Sequence, residues 1–153
     1  MILIDIKKNS LKGGCFMELL HGVSEPHGYY GIVPGRNILK SGGIGVWKPE
    51  YVEDLIENLL RLAKRFGGQP FAYIADPTRM SPILSKDTSA GFVKLHVALE
   101  NAGCKATAFL DANTAGMKLQ SQKHQNLSEA EGMQVLHFKT NEEALDWLEK
   151  MGI

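Results

Sequence analysis

Cysteine is scarce in this chain: Cys15 and Cys104 are the only two in 153 residues. Two cysteines cannot make a disulfide framework, and their spacing does not suit a metal. A reducing compartment follows as the expectation, with Cys104 serving as a small apolar residue at the head of a buried strand. Long apolar runs are missing as well. Nothing approaches the roughly 20 residues that cross a bilayer. Met1–Ile6 is apolar but broken by Asp5 and followed by Lys7 and Lys8, which is not the order of a secretory signal. A cytoplasmic protein without a transmembrane segment is expected. Excess charge of either sign is absent too, since 17 Lys and Arg balance 17 Asp and Glu. That balance argues against a general grip on nucleic acid, which needs a basic face to neutralise phosphates; a local basic patch stays open, though no Lys/Arg run is longer than a pair.

A chain of 153 residues suits one domain and should bury about 68–70% of its unfolded surface. Strand-like runs open it. Phe16–Val23 and Tyr29–Val33 flank the breaker cluster Ser24-Glu25-Pro26-His27-Gly28, the pattern of a hairpin. Pro34-Gly35 marks another break. Asn37–Leu39 and Ile44–Trp47 flank Ser41-Gly42-Gly43, which reads as a second turn. Residues 1–15 form an N-terminal segment whose apolar start is a possible edge strand, and residues 16–153 form a single domain.

Helical patterns then alternate with short apolar runs. Pro49 opens the first helix at the position where its missing N–H costs nothing. Val52, Leu55, Ile56, Leu59, Leu62, Ala63 and Phe66 make one apolar stripe, and Gly67-Gly68 ends it. A second helix runs from Ser85 or Asp87 to Ala102, with Phe92, Leu95, Leu99 and Ala102 on one face. A third, Ala115–Leu127, is polar. The last has a capping box, Thr140 with Glu143, and buries Ala144, Leu145, Trp147, Leu148 and Met151. Between them lie Phe71–Ala75 before Asp76, Ala106–Leu110 before Asp111, and Val135–Phe138. This order predicts an α/β protein: a mixed sheet with N-terminal hairpin strands, then β-α-β-α-β-α, with the helices packed on the sheet.

No motif for catalysis completes itself. Counting GxGxxG from Gly43 puts Lys48 where the third glycine belongs, and no GK[ST] follows. A nucleophile elbow is absent. His21, His27, His96, His124 and His137 form no HxxxH or HExxH pair, and His21, His27 and Cys15 are poorly spaced for zinc. Asp76 and Asp111 are two carboxylates where a divalent ion wants more. No metal and no cofactor are therefore expected.

Three stretches carry a family resemblance: Gly45-Val46-Trp47 leading into the first helix, the run Phe71–Ala75 closing on Asp76, and the ending Phe138-Lys139-Thr140-Asn141-Glu142-Glu143-Ala144-Leu145-Asp146-Trp147-Leu148. In this order they resemble the STAS domain, the fold of the bacterial anti-sigma factor antagonists, and most of all its SpoIIAA-like (STAS-like) branch. The resemblance spans Gly28 to Ile153. It implies a regulatory protein. In signalling members a Ser or Thr in a D-S-S-G pattern accepts phosphate. Here Asp87-Thr88-Ser89-Ala90-Gly91 carries the glycine one position late. Thr88, with Ser89 beside it, is the candidate phosphoacceptor; plain helix capping by Ser85, Asp87, Thr88 and Ser89 is the simpler reading. The STAS-like branch implies a small apolar ligand or a protein partner instead.

Strand ends in open α/β sheets gather binding residues. The candidate ligand- or partner-binding edge is therefore Asp76, Thr78, Arg79 and Met80, then Asp87, then Asp111, Asn113 and Thr114. For an apolar ligand, Met80, Ile83, Leu84 and Phe92 are candidate lining, although ordinary core is the simpler reading of Phe92. Asp76 followed by Pro77 also suits an Asx turn that merely holds its loop. The leading expectation is a non-catalytic STAS-like binding or regulatory module. Two rivals stand beside it: a receiver-like phosphoacceptor or Mg-dependent enzyme using Asp76, with Lys139 as the receiver's lysine, and a structural subunit that oligomerises, as a homodimer for example, through an exposed hairpin edge.

Overall fold

The computed structural model describes residues 16–21, 26–110 and 133–153. Residues 1–15 and the expected helix Ala115–Leu127 lie outside them. The described elements are β1 (Phe16–His21), β2 (Pro26–Ile32), β3 (Ile38–Gly45), α1 (Pro49–Ala63), β4 (Phe71–Met80), α2 (Lys86–Asn101), β5 (Cys104–Leu110), β6 (Gln134–Phe138) and α3 (Asn141–Lys150). The strands form one six-stranded sheet in chain order, β1-β2-β3-β4-β5-β6. β1, β2 and β3 pair antiparallel, and β3 to β6 pair parallel. The mixed sheet with leading hairpin strands is as the sequence predicts.

The layers follow from the connections. β3-α1-β4 and β4-α2-β5 step the same way along the sheet, and crossovers of one hand then land on one face. α1 and α2 accordingly share a core with Leu39, Tyr73, Ala75 and Phe109 of the sheet. α3 covers the other face, where Ala144 and Leu148 pack on Ile38, Ala72, Ile74, Ala106 and Ala108. Strands with helices on both faces lose the polar alternation of half-exposed strands, which is why Phe71–Ala75 and Ala106–Leu110 read as continuous apolar runs. Lys40 Nζ donates to Asn141 Oδ1 at 2.9 Å, tying α3 to β3.

The helix ends match their sequence signals. α1 carries Pro at its first turn and continues into a 3-10 turn, Lys64–Phe66, that stops at Gly67 with φ +61°. Ser85 caps α2, accepting from Thr88 N at 3.2 Å. Thr140 caps α3 by accepting from Glu143 N at 3.2 Å. The Glu143 carboxylate reaches one residue further back than a standard box and takes the Lys139 N–H at 3.3 Å.

Two expectations are corrected. Ser41-Gly42-Gly43 is not a turn; it lies inside β3, which runs unbroken from Ile38 to Gly45. The glycines are there for close approach. A Cβ on Gly42 would lie 2.5 Å from Tyr29 Cε1, and one on Gly43 would lie 2.5 Å from Met80 Cγ. Likewise β4 does not end at Ala75 but continues to Met80. Gly42 pairs with Asp76 and Ile44 with Arg79, so two steps on β3 face three on β4. That surplus is a bulge, and Pro77, which has no N–H to give a ladder, sits in it.

Candidate functional site

Asp76 is fixed by its own strand and by a strand two places away. Tyr29 on β2, Gly42 on β3 and Asp76 on β4 share one register row. The Tyr29 ring lies across the bare Gly42, and its Oη donates to Asp76 Oδ2 at 2.7 Å. Thr78 N donates to Asp76 Oδ1 at 3.0 Å, and Thr78 Oγ1 bonds to the same oxygen. The backbone bond is an Asx turn. Both carboxylate oxygens are thus engaged in holding the bulge. Burial, and secondarily the Asp76 charge, hold the Tyr29 phenol above its ordinary pKa.

Beside this row, a pocket opens between the sheet and α2. The cavity is small, about 40 Å³, and opens to solvent. Its walls are chiefly apolar: Trp47, Met80, Ile83, Phe92, Leu95 and Phe109. Aromatic packing stiffens it, with Trp47 against Phe92 at 5.7 Å and His96 against Phe109 at 5.3 Å between ring centroids. Trp47 is held in turn by a 2.9 Å bond from its Nε1 to the His27 carbonyl, and His27 stacks on Tyr51 at 3.7 Å. The polar groups facing the space are Ser41, Tyr73, Asp76 and His96. Ser41 Oγ and Tyr73 Oη lie 2.5 Å apart and are buried. Burial keeps the Tyr73 phenol protonated well above its usual range. Among the described residues no lysine or arginine lines the pocket, and no group of three His, Cys, Asp or Glu is placed to hold a metal ion.

The expected site residues fall into separate groups. Asp76 and Met80 reach the pocket, and Thr78 buttresses Asp76. Ile83 lines the pocket, and so does Phe92, whose simpler sequence reading is core, but Leu84 does not: it is 93% exposed. Arg79 and Asp87 are exposed. Thr88 is fully buried on the stripe it shares with Phe92, Leu95 and Leu99, so a kinase reaches its hydroxyl only if the first turn of α2 unwinds. Ser89 is half-buried. Asp111, Asn113 and Thr114 lie outside the described residues. Ser41, Tyr73 and His96 were missed by sequence reasoning. Tyr73 sits within an apolar run, and the only signal for His96 is its place on the buried side of α2, one residue after Leu95.

The receiver-like rival meets two physical objections. Doubly wound receivers place their acidic loops where strand order reverses, whereas β3 to β6 run in chain order. The Asp76 oxygens are also already committed to Tyr29 and Thr78.

No protein-family model matches the chain, and no curated protein matches it. Among solved structures, the chain is similar to the crystal structure of an uncharacterized protein from the DUF3478 family with a SpoIIAA-like fold, from Shewanella loihica PV-4. The TM-score is 0.54 with 16% identity, covering 88% of this chain and 94% of that one. The chain therefore has a SpoIIAA-like α/β fold, the STAS-like architecture indicated by its sequence. No helix among the described residues is long and apolar enough to cross a membrane.

Proposed function

We propose that this chain is a non-catalytic binding module that takes a small apolar ligand between the sheet and α2. One observation carries the reading: an apolar, aromatic-walled pocket at the carboxyl end of β3 and β4 with a few convergent polar groups, which is the general form of a small-molecule site. Met80 forms a pliable wall, since its unbranched side chain adapts to what it meets. Native mass spectrometry of freshly purified protein tests the proposal. A retained small molecule that also raises the melting temperature is expected, because a ligand bound only by the folded state stabilises it. Protein that carries nothing, and that no apolar compound stabilises, contradicts it.

A second reading, docking of a protein partner or a second copy at the pocket's rim, is favoured by two exposed apolar residues. Leu84 is 93% and Val46 68% exposed, and each adjoins a pocket wall, Ile83 and Trp47 respectively. Light scattering tests the homodimer: a mass that doubles with concentration and returns to the monomer in Leu84→Ser supports it, and a monomer at every concentration removes it.

A further inference from the structure

The Ser41–Tyr73 pair has one proton more than it uses. Both residues are buried, at 3% and 2% exposure, and both face the pocket. Two hydroxyls bring two O–H donors, and the 2.5 Å contact between them consumes one. Neither residue has another side-chain hydrogen bond among the described residues. A buried donor left without an acceptor is costly, so such groups are normally paired. The space beside the pair is where an acceptor must come from.

The charges around the pocket narrow the choice. Among the described residues no lysine or arginine lines it, and the Asp76 carboxylate opposes a second anion. Little of Asp76 is left to pair a cation directly, because three of its roughly four lone-pair sites already accept, from Tyr29 Oη, Thr78 N and Thr78 Oγ1. Enclosing an uncompensated charge among Trp47, Phe92 and Phe109 is strongly unfavourable. What remains is an uncharged body that the aromatic walls can cover, with one oxygen to meet the spare proton.

We propose that the ligand is a small neutral molecule with a hydrogen-bond acceptor of the carbonyl class, held by the free O–H of the Ser41–Tyr73 pair. This rests on the binding-module reading above and adds the chemistry of the ligand. It has an unusual mutational signature. Ser41→Ala leaves the Tyr73 proton free for the ligand, and Tyr73→Phe leaves the Ser41 proton free. Only the double variant removes every donor. Replacing both members of such a pair by apolar groups of the same shape is close to neutral for folding, so the decisive variant is expected to fold.

The test uses cyclohexanone, its hydrocarbon isostere methylenecyclohexane, and cyclohexanecarboxylate, each titrated into the native protein, both single variants and the double variant. The Met80 methyl resonance in NMR spectra reports binding. In Ser41→Ala/Tyr73→Phe the Kd of cyclohexanone is expected to rise roughly three- to tenfold, the worth of one neutral hydrogen bond, while that of methylenecyclohexane stays level or falls. The single variants should hold cyclohexanone within about twofold of native. Two outcomes overturn the inference while leaving the binding module intact: hydrocarbon binding with a cyclohexanone Kd indifferent to the double variant, as when a water serves the proton, or carboxylate binding as tight as that of the ketone. Failure of both neutral compounds to bind native protein overturns the module as well.

Discussion

Gly42→Ala is expected to destabilise the fold by about 1–2 kcal/mol, against the usual sign for such a change. Gly42 is not among the glycines with positive φ. Alanine therefore fits its backbone, and the lost freedom of the unfolded chain alone would stabilise by about 0.4–1 kcal/mol. The opposing effect is local. The new Cβ would stand 2.5 Å from Tyr29 Cε1 and Cζ and 2.6 Å from Oη. The ring must leave, and its 2.7 Å bond to Asp76 goes with it. A hydrogen bond to a charged group contributes about 1.5–3 kcal/mol, which exceeds the backbone gain. The corresponding fall in melting temperature is about 2–8 °C for a chain of this size. Urea midpoints measured in native and Tyr29→Ala backgrounds isolate the cause. With the ring absent, Gly42→Ala should become neutral or stabilising. The same destabilisation in both backgrounds would refute the role given to Tyr29.

Other perturbations read other parts of the fold. Ser85→Ala removes the acceptor of the Thr88 N–H and should cost about 1 kcal/mol in urea denaturation; no change would mean the cap contributes nothing. Gly43→Ala drives Met80, which would lie 2.5 Å from the new Cβ, and should weaken ligand retention in native mass spectra at a stability cost of about 1–3 kcal/mol. Retention equal to native would place the ligand elsewhere. Burial pushes the Cys104 thiol from 9.0 up to about 12 and raises the Tyr29 and Tyr73 phenols. At lower pH both the folded and the unfolded chain keep these protons. Above about pH 9 the unfolded chain sheds protons that the folded chain retains, so stability falls as pH rises. Urea midpoints from about pH 8 to about pH 11 should decline, less steeply in Cys104→Ala; a level or rising midpoint contradicts the burial of these groups.

Much of the architecture was legible because local chemistry and tertiary packing agree. The stripe from Val52 to Phe66 lies against the sheet, and Ser85 and Thr140 cap the helices they precede. Legibility failed where tertiary contact overrides local preference. Ser41-Gly42-Gly43 has the composition of a turn, but Tyr29, Met80 and Trp47 occupy the room its missing side chains leave. Pro77 reads as a strand end because a proline breaks a regular ladder, and here a bulge absorbs it. Thr88 reads as a polar cap, although its spacing of four to Phe92 and seven to Leu95 already sets it on the buried stripe. Of the candidate site, Asp76, Met80, Ile83 and Phe92 were reachable from sequence. The Ser41–Tyr73 pair joins residues 32 positions apart on adjacent parallel strands, and only the register brings them together.

Xenon bound under pressure in a crystal of the protein tests most directly whether the pocket is a built ligand site, because this apolar, polarisable atom enters pre-formed apolar space. Density bounded by Met80, Phe92 and Phe109 is the expected result. A pocket that stays free of xenon while other sites fill, or one packed shut by Met80, would contradict it.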